Sequence, residues 1–147
     1  MKMRKTLSAV SVIVLTLILL SGCSGSKPTT GKVSQSGMTS QISKDLGITN
    51  SQTEAGIGAM MMLSKEKLSP SDYSKLSKGI PGGGDSYINK ATSLGVLPGS
   101  VGTSADIIKV LGMVGVGPIQ AAKFTGEVLK FTGSMGGSTF GLLSKVF

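Results

Sequence analysis

Apolar residues recur every three to four positions along much of residues 38–147, which is the spacing of an amphipathic helix. Ile42 and Leu46 begin this pattern, and Gly47 follows them as a helix-terminating residue. A strict alternation of apolar and polar residues is not sustained anywhere, so no strand is predicted. The pattern predicts an all-α fold, a small bundle of about five or six short helices.

Polar capping residues mark where several of these helices begin. Thr49 is followed three residues later by Gln52, the spacing of a capping box. Ser69-Pro70-Ser71-Asp72 combines a capping serine, a proline at the first helical position and an acid in the first turn. Either Thr103 or Ser104 caps a further helix. We therefore expect short helices separated by well-defined turns.

The last third of the sequence is apolar and rich in glycine. Pro118 opens a helix, and Gly136-Gly137 separates it from a final apolar segment that ends at Phe147. We expect the inner face to comprise Ile119, Ala122, Gly126 and Leu129, with Phe124, Val128 and Phe131 alongside.

Two short motifs are compatible with a binding role. The run Met60–Met62 covers nearly a helical turn, so at least one methionine should be partly exposed as an adaptable binding surface; core packing is the favoured interpretation. Gly133, Gly137 and Gly141 repeat a G-x-x-x-G spacing that lets helices pack closely in membranes. Gly136-Gly137 has the character of a helix break, and Lys123, Glu127, Lys130 and Lys145 interrupt any membrane-spanning run, so use of these glycines in loops and helix caps is favoured.

The N-terminus has the organisation of a secretory signal. Lys2, Arg4 and Lys5 precede an uncharged run from residue 7 to residue 20, which is shorter than the roughly 20 residues of a membrane-spanning helix. Leu20-Ser21-Gly22-Cys23 resembles the lipobox of bacterial lipoproteins. That resemblance implies cleavage before Cys23 and lipidation of this residue, including palmitate, whereas the alternative is an ordinary signal peptide with an incidental cysteine nearby.

The lipobox resemblance divides the chain into three parts. Residues 1–22 are a signal peptide that is removed, residues 23–37 are a lipidated N-terminus and flexible linker, and residues 38–147 are one helical domain. Several acyl chains on Cys23 make membrane attachment effectively permanent. Ser24 after the cysteine resembles the signal for transport to the outer membrane, so we expect a protein of the bacterial cell envelope, anchored there and facing the periplasm.

The charge pattern argues against nucleic-acid binding. Three of the 15 basic residues lie in residues 1–22, which leaves twelve lysines against seven acids and a formal net charge of +5 on the mature chain. These lysines are scattered and no arginine accompanies them, whereas a nucleic-acid footprint needs a clustered basic patch. Solvated lysines that keep the domain soluble explain the charge, and a weak attraction to anionic headgroups is the alternative.

The residue types available for catalysis are few. The chain has no histidine, and Cys23 is its only cysteine, so we expect no thiolate or histidine chemistry, no metal site and no cofactor. An enzyme is not expected unless the fold brings two acids together in a cleft. Seven carboxylates are available, and three of them occupy expected helix starts: Asp45, Glu54, Glu66, Asp72, Asp85, Asp106 and Glu127.

Two segments carry a resemblance to a known family. Residues 46–82, with Leu-Ser-Pro-Ser-Asp-Tyr at their centre, and residues 123–147 resemble the VcgC/VcgE-type bacterial family of unknown function. The resemblance implies a small helical envelope domain and supplies no catalytic residues. We therefore expect a non-enzymatic, lipid-anchored protein whose domain binds another, unidentified envelope protein. The alternative is a bilayer-associating domain that uses its glycine-rich C-terminal segment.

Overall fold

The computed structural model describes residues 33–147, and these residues form helices without any strand. The all-α class predicted from the sequence is confirmed, with the final apolar segment forming a seventh, short helix. The signal peptide, Cys23 and the linker as far as residue 32 lie outside the described residues. The helices are α1 (Gln35–Leu46), α2 (Asn50–Lys67), α3 (Pro70–Gly79), α4 (Gly84–Ser93), α5 (Ser104–Met113), α6 (Pro118–Met135) and α7 (Ser138–Ser144).

The first helix begins three residues before Met38, where the sequence placed the start of the domain. Ser34 caps α1, because its Oγ accepts a hydrogen bond from the backbone N–H of Gly37 at 3.1 Å. Residues 35–37, expected as the end of the linker, therefore form the first turn of the helix. Met38, in the next turn, is fully buried.

Three helices end in the same turn, in which glycine occupies a left-handed conformation between apolar residues. After α1, Gly47 has φ 66°, and the N–H of Ile48 donates to the carbonyl of Ser43 at 3.0 Å. Gly95-Val96 after α4 and Gly115-Val116 after α5 repeat this hydrogen bond, to Ala91 at 3.0 Å and Leu111 at 2.9 Å. All three are Schellman motifs, which need a residue tolerant of positive φ at the C′ position.

The second helix forms the centre of the bundle and is buried on every side from Ala55 to Ser64. Ala55, Ala59, Met62 and Leu63, whose spacing marks one apolar face, are all buried, and the residues between them are buried as well, because neighbours surround this helix rather than covering one face. Gly58 lies against the backbone of α4: a Cβ at this position would overlap the carbonyl oxygen of Tyr87 and the Cβ of Ala91. The absence of a side chain at Gly58 therefore permits the close approach of the two helices.

Side-chain hydrogen bonds show how the ends of the helices are arranged. Gln35, at the start of α1, donates to Ser86 at the start of α4 at 3.4 Å, so the two helices begin at the same end. At the opposite end, Lys90 of α4 bonds to Glu54 at 3.1 Å, and Gln52 donates to the carbonyl oxygen of Val114, after α5, at 2.9 Å. We call the end of the bundle where α2 begins the distal end, and the end where the chain enters α1 the proximal end. Helices α1, α4 and α5 all finish at the distal end.

The sixth helix buries a different face from the one expected. Its buried residues are Ala121, Phe124, Val128 and Thr132, whereas Ile119, Ala122 and Gly126 are exposed and Leu129 is half-buried. Two features explain the outcome. The helix face that contains Phe124 offers more apolar area to the core, where the Phe124 ring lies against Gly56 of α2. The hydroxyl of Thr132 donates to the carbonyl of Val128 at 3.0 Å, so burial leaves it satisfied.

The glycines of the C-terminal segment separate two helices rather than lining one. Gly136 and Gly137, with φ 73° and 83°, form the turn between α6 and α7. The next helix, α7, buries Leu142 and Leu143, and its Thr139 packs against Gly79 at the end of α3. Of the three glycines at G-x-x-x-G spacing, Gly137 lies in this turn and precedes α7 as its cap, as the sequence favoured, whereas Gly133 and Gly141 lie within α6 and α7.

Candidate functional site

The carboxylates of the described residues lie apart, and most of them have a cationic or polar partner of their own. Glu54 pairs with Lys90 at 3.1 Å, and Glu127 pairs with Lys130 at 3.3 Å. Asp45 accepts from Gln41 at 3.0 Å. The remaining partnered acids, Asp72, Asp85 and Asp106, occupy the first turns of α3, α4 and α5, as the sequence predicted. This arrangement is typical of helix starts and surface ion pairs.

One polar cluster joins three helices at the proximal end. The hydroxyl of Tyr73 in α3 donates to Oδ1 of Asp85 in α4 at 2.8 Å. The ammonium of Lys65 in α2 lies 5.6 Å from the centre of the Tyr73 ring, within cation–π range. Burial and then the Asp85 carboxylate raise the pKa of Tyr73 above its ordinary value. These contacts keep the Tyr73 phenol in its neutral form, and its hydrogen bond to Asp85 connects α3 to α4.

A second cluster closes the start of α5. Asp106 accepts from Nζ of Lys109 at 2.9 Å, from the hydroxyl of Thr103 at 2.8 Å and from its backbone N–H at 3.0 Å. The Lys109 hydrogen bond, followed by that of the Thr103 hydroxyl, lowers the pKa of Asp106 to about 2. The aspartate is therefore ionised at neutral pH and caps the helix. Within residues 33–147, no three His, Cys, Asp or Glu residues are grouped so that they could hold a metal ion.

The methionine run belongs to the core. Met60, Met61 and Met62 are all buried, with exposed fractions of 4% or less. The expectation that one of them is partly exposed is wrong, because α2 has neighbours on every side. Core packing, the favoured interpretation, is correct. These side chains fill the space between α2 and its neighbours; the terminal methyl of Met61, for example, lies against Gly84.

The distal end exposes four large apolar side chains, among them Ile119, which was expected on the inner face of α6. Leu94 and Leu97 follow α4 and are 44% and 67% exposed, Met113 ends α5 and is 72% exposed, and Ile119 in the first turn of α6 is 67% exposed. We call these four residues the distal apolar surface. The sequence feature that indicates this surface is the lack of charge, since no charged residue occurs in residues 91–105 or 110–122.

Ion pairs lie about one helical turn behind the distal apolar surface. Lys90 precedes Leu94 by four residues and pairs with Glu54, and Lys109 precedes Met113 by four residues and pairs with Asp106. Each of these two ion pairs is neutral, whereas Lys123, four residues after Ile119 in α6, has no ion-pair partner among the described residues. An uncharged apolar centre inside a polar rim is the anatomy of a protein-binding surface. No helix in residues 33–147 has both the length and the apolar character required to span a lipid bilayer.

The fold and this surface define a small all-α domain with an exposed apolar end. The profile of the family described as protein of unknown function VcgC/VcgE (DUF2780) matches residues 23–120, about two thirds of the chain. The chain therefore belongs to this family, and the resemblance expected from residues 46–82 is confirmed. The matched span includes the loop between α4 and α5 and stops just before Ala121, within α6. No curated protein and no solved structure matches the chain.

Proposed function

We propose that the chain is a non-enzymatic, lipid-anchored protein of the bacterial cell envelope, whose helical domain binds another protein at the periplasmic face of the outer membrane. Lipidation of Cys23 is the proposed anchor, supported by Leu20-Ser21-Gly22 before it. The family match starts at Cys23, the residue at which the mature chain would begin. The scattered carboxylates, most of which have a cationic or polar partner of their own, support a binding role over catalysis.

The distal apolar surface is the observation that carries the proposal of a protein partner. Burying a Leu, Ile or Met side chain completely stabilises a complex by about 1.5–3 kcal/mol. The exposed fractions of the four side chains together equal about two and a half fully exposed side chains, so their burial would stabilise a complex by roughly 4–7 kcal/mol before the costs of association. Such a cluster suits the centre of a modest interface, with the surrounding polar residues as its rim.

The position of this surface also fits a partner in the aqueous compartment. The chain enters the domain at the proximal end, and α2, with 18 residues, separates the two ends by about 27 Å. An anchor at Cys23 therefore attaches to the end opposite the distal apolar surface. This arrangement leaves the apolar side chains accessible to a protein that approaches from the periplasm.

Photocrosslinking in intact cells tests the partner. A photoreactive amino acid at Leu97 should give a discrete protein adduct, and Met113→Gln together with Ile119→Gln should reduce that adduct at least fivefold. The same probe at Ser74, an exposed position on α3, serves as the control. Protein adducts at Leu97 no stronger than those at Ser74, or adducts unaffected by the two substitutions, would overturn the proposed binding surface.

Mass spectrometry of the mature N-terminus tests the anchor separately. The expected peptide begins at Cys23 and carries a thioether-linked diacylglycerol and an acylated amine. An unmodified cysteine, or cleavage at another residue, would remove the lipid anchor from the proposal. Because the partner test reads a different part of the chain, the two claims succeed or fail independently.

A further inference from the structure

The C-terminal segment presents a second apolar region, at the proximal end of the bundle. Residues 131–144 contain no charged residue, and Lys130 and Lys145 lie immediately on either side of them. Phe140 is 44% exposed, and one edge of its ring faces Gly133, where an added Cβ would lie 3.4 Å from the ring. We call the surface formed by Phe140, Gly133 and the Gly136-Gly137 turn the C-terminal face. The fold leaves this aromatic ring half uncovered.

The point at which the chain enters the domain lies beside this face. The side chain of Gln35, at the start of α1, packs against Gly82, and Thr139 of α7 packs against Gly79, only three residues earlier. The first turn of α1 and the first turn of α7 therefore meet the same short stretch at the end of α3. Val33, just before α1, is a further exposed apolar side chain at the point where the chain enters the domain; it is 41% exposed and lies against Gly37 in the first turn of α1.

The length of chain before Ser34 limits how far this region can lie from the proposed anchor. Taken as the flexible linker that its composition predicts, the segment from Cys23 to Ser34 spans roughly 20 Å, which is less than the length of α2. The C-terminal face borders the attachment point, whereas the distal end lies roughly another 27 Å away along α2. Of the two apolar regions, the C-terminal face is therefore the one held close to the anchoring bilayer.

We infer that the C-terminal face rests on the bilayer that holds Cys23, and that this contact turns the distal apolar surface away from the membrane. The inference depends on the proposed lipid anchor and adds an orientation to it. Phe140 and Val33 would enter the interfacial region, while the ammonium groups of Lys130 and Lys145 would lie at the level of the lipid phosphates. Lys145 has no ion-pair partner among the described residues, and Lys130 pairs with Glu127.

The glycine-rich turn sets the depth of the contact. Gly136 and Gly137 expose backbone groups that need water or headgroup partners, so the turn belongs among the headgroups and not in the hydrocarbon. Without side chains at these positions, the backbone can approach the headgroups closely. The contact is therefore shallow and orients a domain that the lipid at Cys23 already retains.

Depth-dependent quenching tests this orientation on the lipidated mature chain in vesicles of phosphatidylethanolamine and phosphatidylglycerol. Since Cys23 is the only native cysteine, Ser138→Cys or Ser51→Cys gives one labelling site, at the C-terminal face or in the exposed first turn of α2 at the distal end. Brominated lipids should quench a fluorophore at residue 138 at least threefold more than one at residue 51. Aqueous iodide should show the opposite order. Equal quenching at both sites, or stronger lipid quenching at residue 51, would overturn the inference.

Substitutions at the two ends provide matched controls. In the residue-138 reporter, Phe140→Ser should lower lipid quenching to the level found at residue 51, whereas Phe140→Leu should retain most of it. Met113→Ser, which removes an exposed apolar side chain at the distal end, should leave it unchanged. Retained quenching in Phe140→Ser would contradict the role of the ring.

Flotation of the same vesicles separates this inference from the proposed anchor. If the chain floats but quenching is equal at both sites, the anchor is present and only the orientation is refuted. A chain that does not float, with Cys23 unmodified in the mass spectrum, refutes the anchor and the orientation that depends on it. Circular dichroism of each variant, compared with the parent chain, establishes that the helices are intact.

Discussion

Replacing Gly58 with alanine tests the central feature of the fold, the close approach of α2 and α4. An added Cβ would overlap the carbonyl oxygen of Tyr87 and the Cβ of Ala91. The first of these atoms belongs to the backbone, so a change of side-chain rotamer cannot relieve the overlap. Helix α4 has to move, and this movement would also disturb the Glu54–Lys90 ion pair at its distal end.

The magnitude follows from two opposing effects. Overpacking a core costs about 1–3 kcal/mol, and occasionally more. Alanine has a higher helix propensity than glycine by roughly 0.5–1 kcal/mol, which offsets part of this cost. Because the overlap involves backbone, we expect the upper part of the range, so that Gly58→Ala lowers the free energy of unfolding by about 2 kcal/mol.

Gly126→Ala is the matched control, because Gly126 lies within α6, is exposed, and has no atom near the position of an added Cβ. There only the propensity acts, and the free energy of unfolding should rise by about 0.5–1 kcal/mol. Urea denaturation followed by circular dichroism at 222 nm measures both changes on the mature chain carrying Cys23→Ser. The packing argument is refuted if Gly58→Ala is as stable as the parent chain or more stable.

Three further substitutions test individual contacts by the same denaturation measurement. Gln52→Ala should lower the free energy of unfolding by about 1–2 kcal/mol, because it removes a helix cap and a hydrogen bond to the Val114 carbonyl; a loss below 0.3 kcal/mol would contradict this role. Tyr73→Phe should cost about 1 kcal/mol at neutral pH. Since the fold raises the pKa of Tyr73, the stabilisation from its hydroxyl is fully present below about pH 10 and declines as the pH rises from there towards the raised pKa, so the difference between variant and parent should shrink above pH 10; a difference that stays constant there would contradict this role. Asp106→Asn should destabilise the chain at pH 7, and this difference should vanish as the pH falls from about 4 to 2, because the fold lowers the pKa of Asp106; a constant difference would contradict the assignment.

The helix boundaries were predictable because they depend on short stretches of chain. The box formed by Thr49 and Gln52 has both of its hydrogen bonds, at 3.2 and 2.9 Å. Ser69 accepts from the N–H of Asp72 at 3.2 Å, as its spacing from Pro70 indicated. Each of these signals satisfies backbone groups within four residues, so its outcome depends little on the rest of the fold.

Which face of a helix is buried was less predictable, since it depends on how many neighbours the helix has. The residues of α2 resemble one apolar stripe with small residues around it, but Gly56 and Gly58 let Phe124 and α4 approach from further directions. In α6, two adjacent faces carry apolar residues at the same helical spacing. The face with the larger residues, which include Phe124 and Val128, is the buried one. Periodicity identifies a helix without counting the elements that pack on it.

The distal apolar surface was missed for a different reason: apolar residues at helix ends are usually attributed to the core. Three Schellman turns gather at that end, and each requires one apolar residue after its glycine; Val96 and Val116 are accordingly buried. Met113 and Ile119 have no such role, because neither donates the turn hydrogen bond and both are mostly exposed. Replacing both with glutamine should therefore change the free energy of unfolding by no more than about 0.5 kcal/mol each. If these variants are as stable as the parent yet lose the crosslinked partner, the apolar side chains serve binding. A loss above 2 kcal/mol for the pair would show instead that the fold itself requires them.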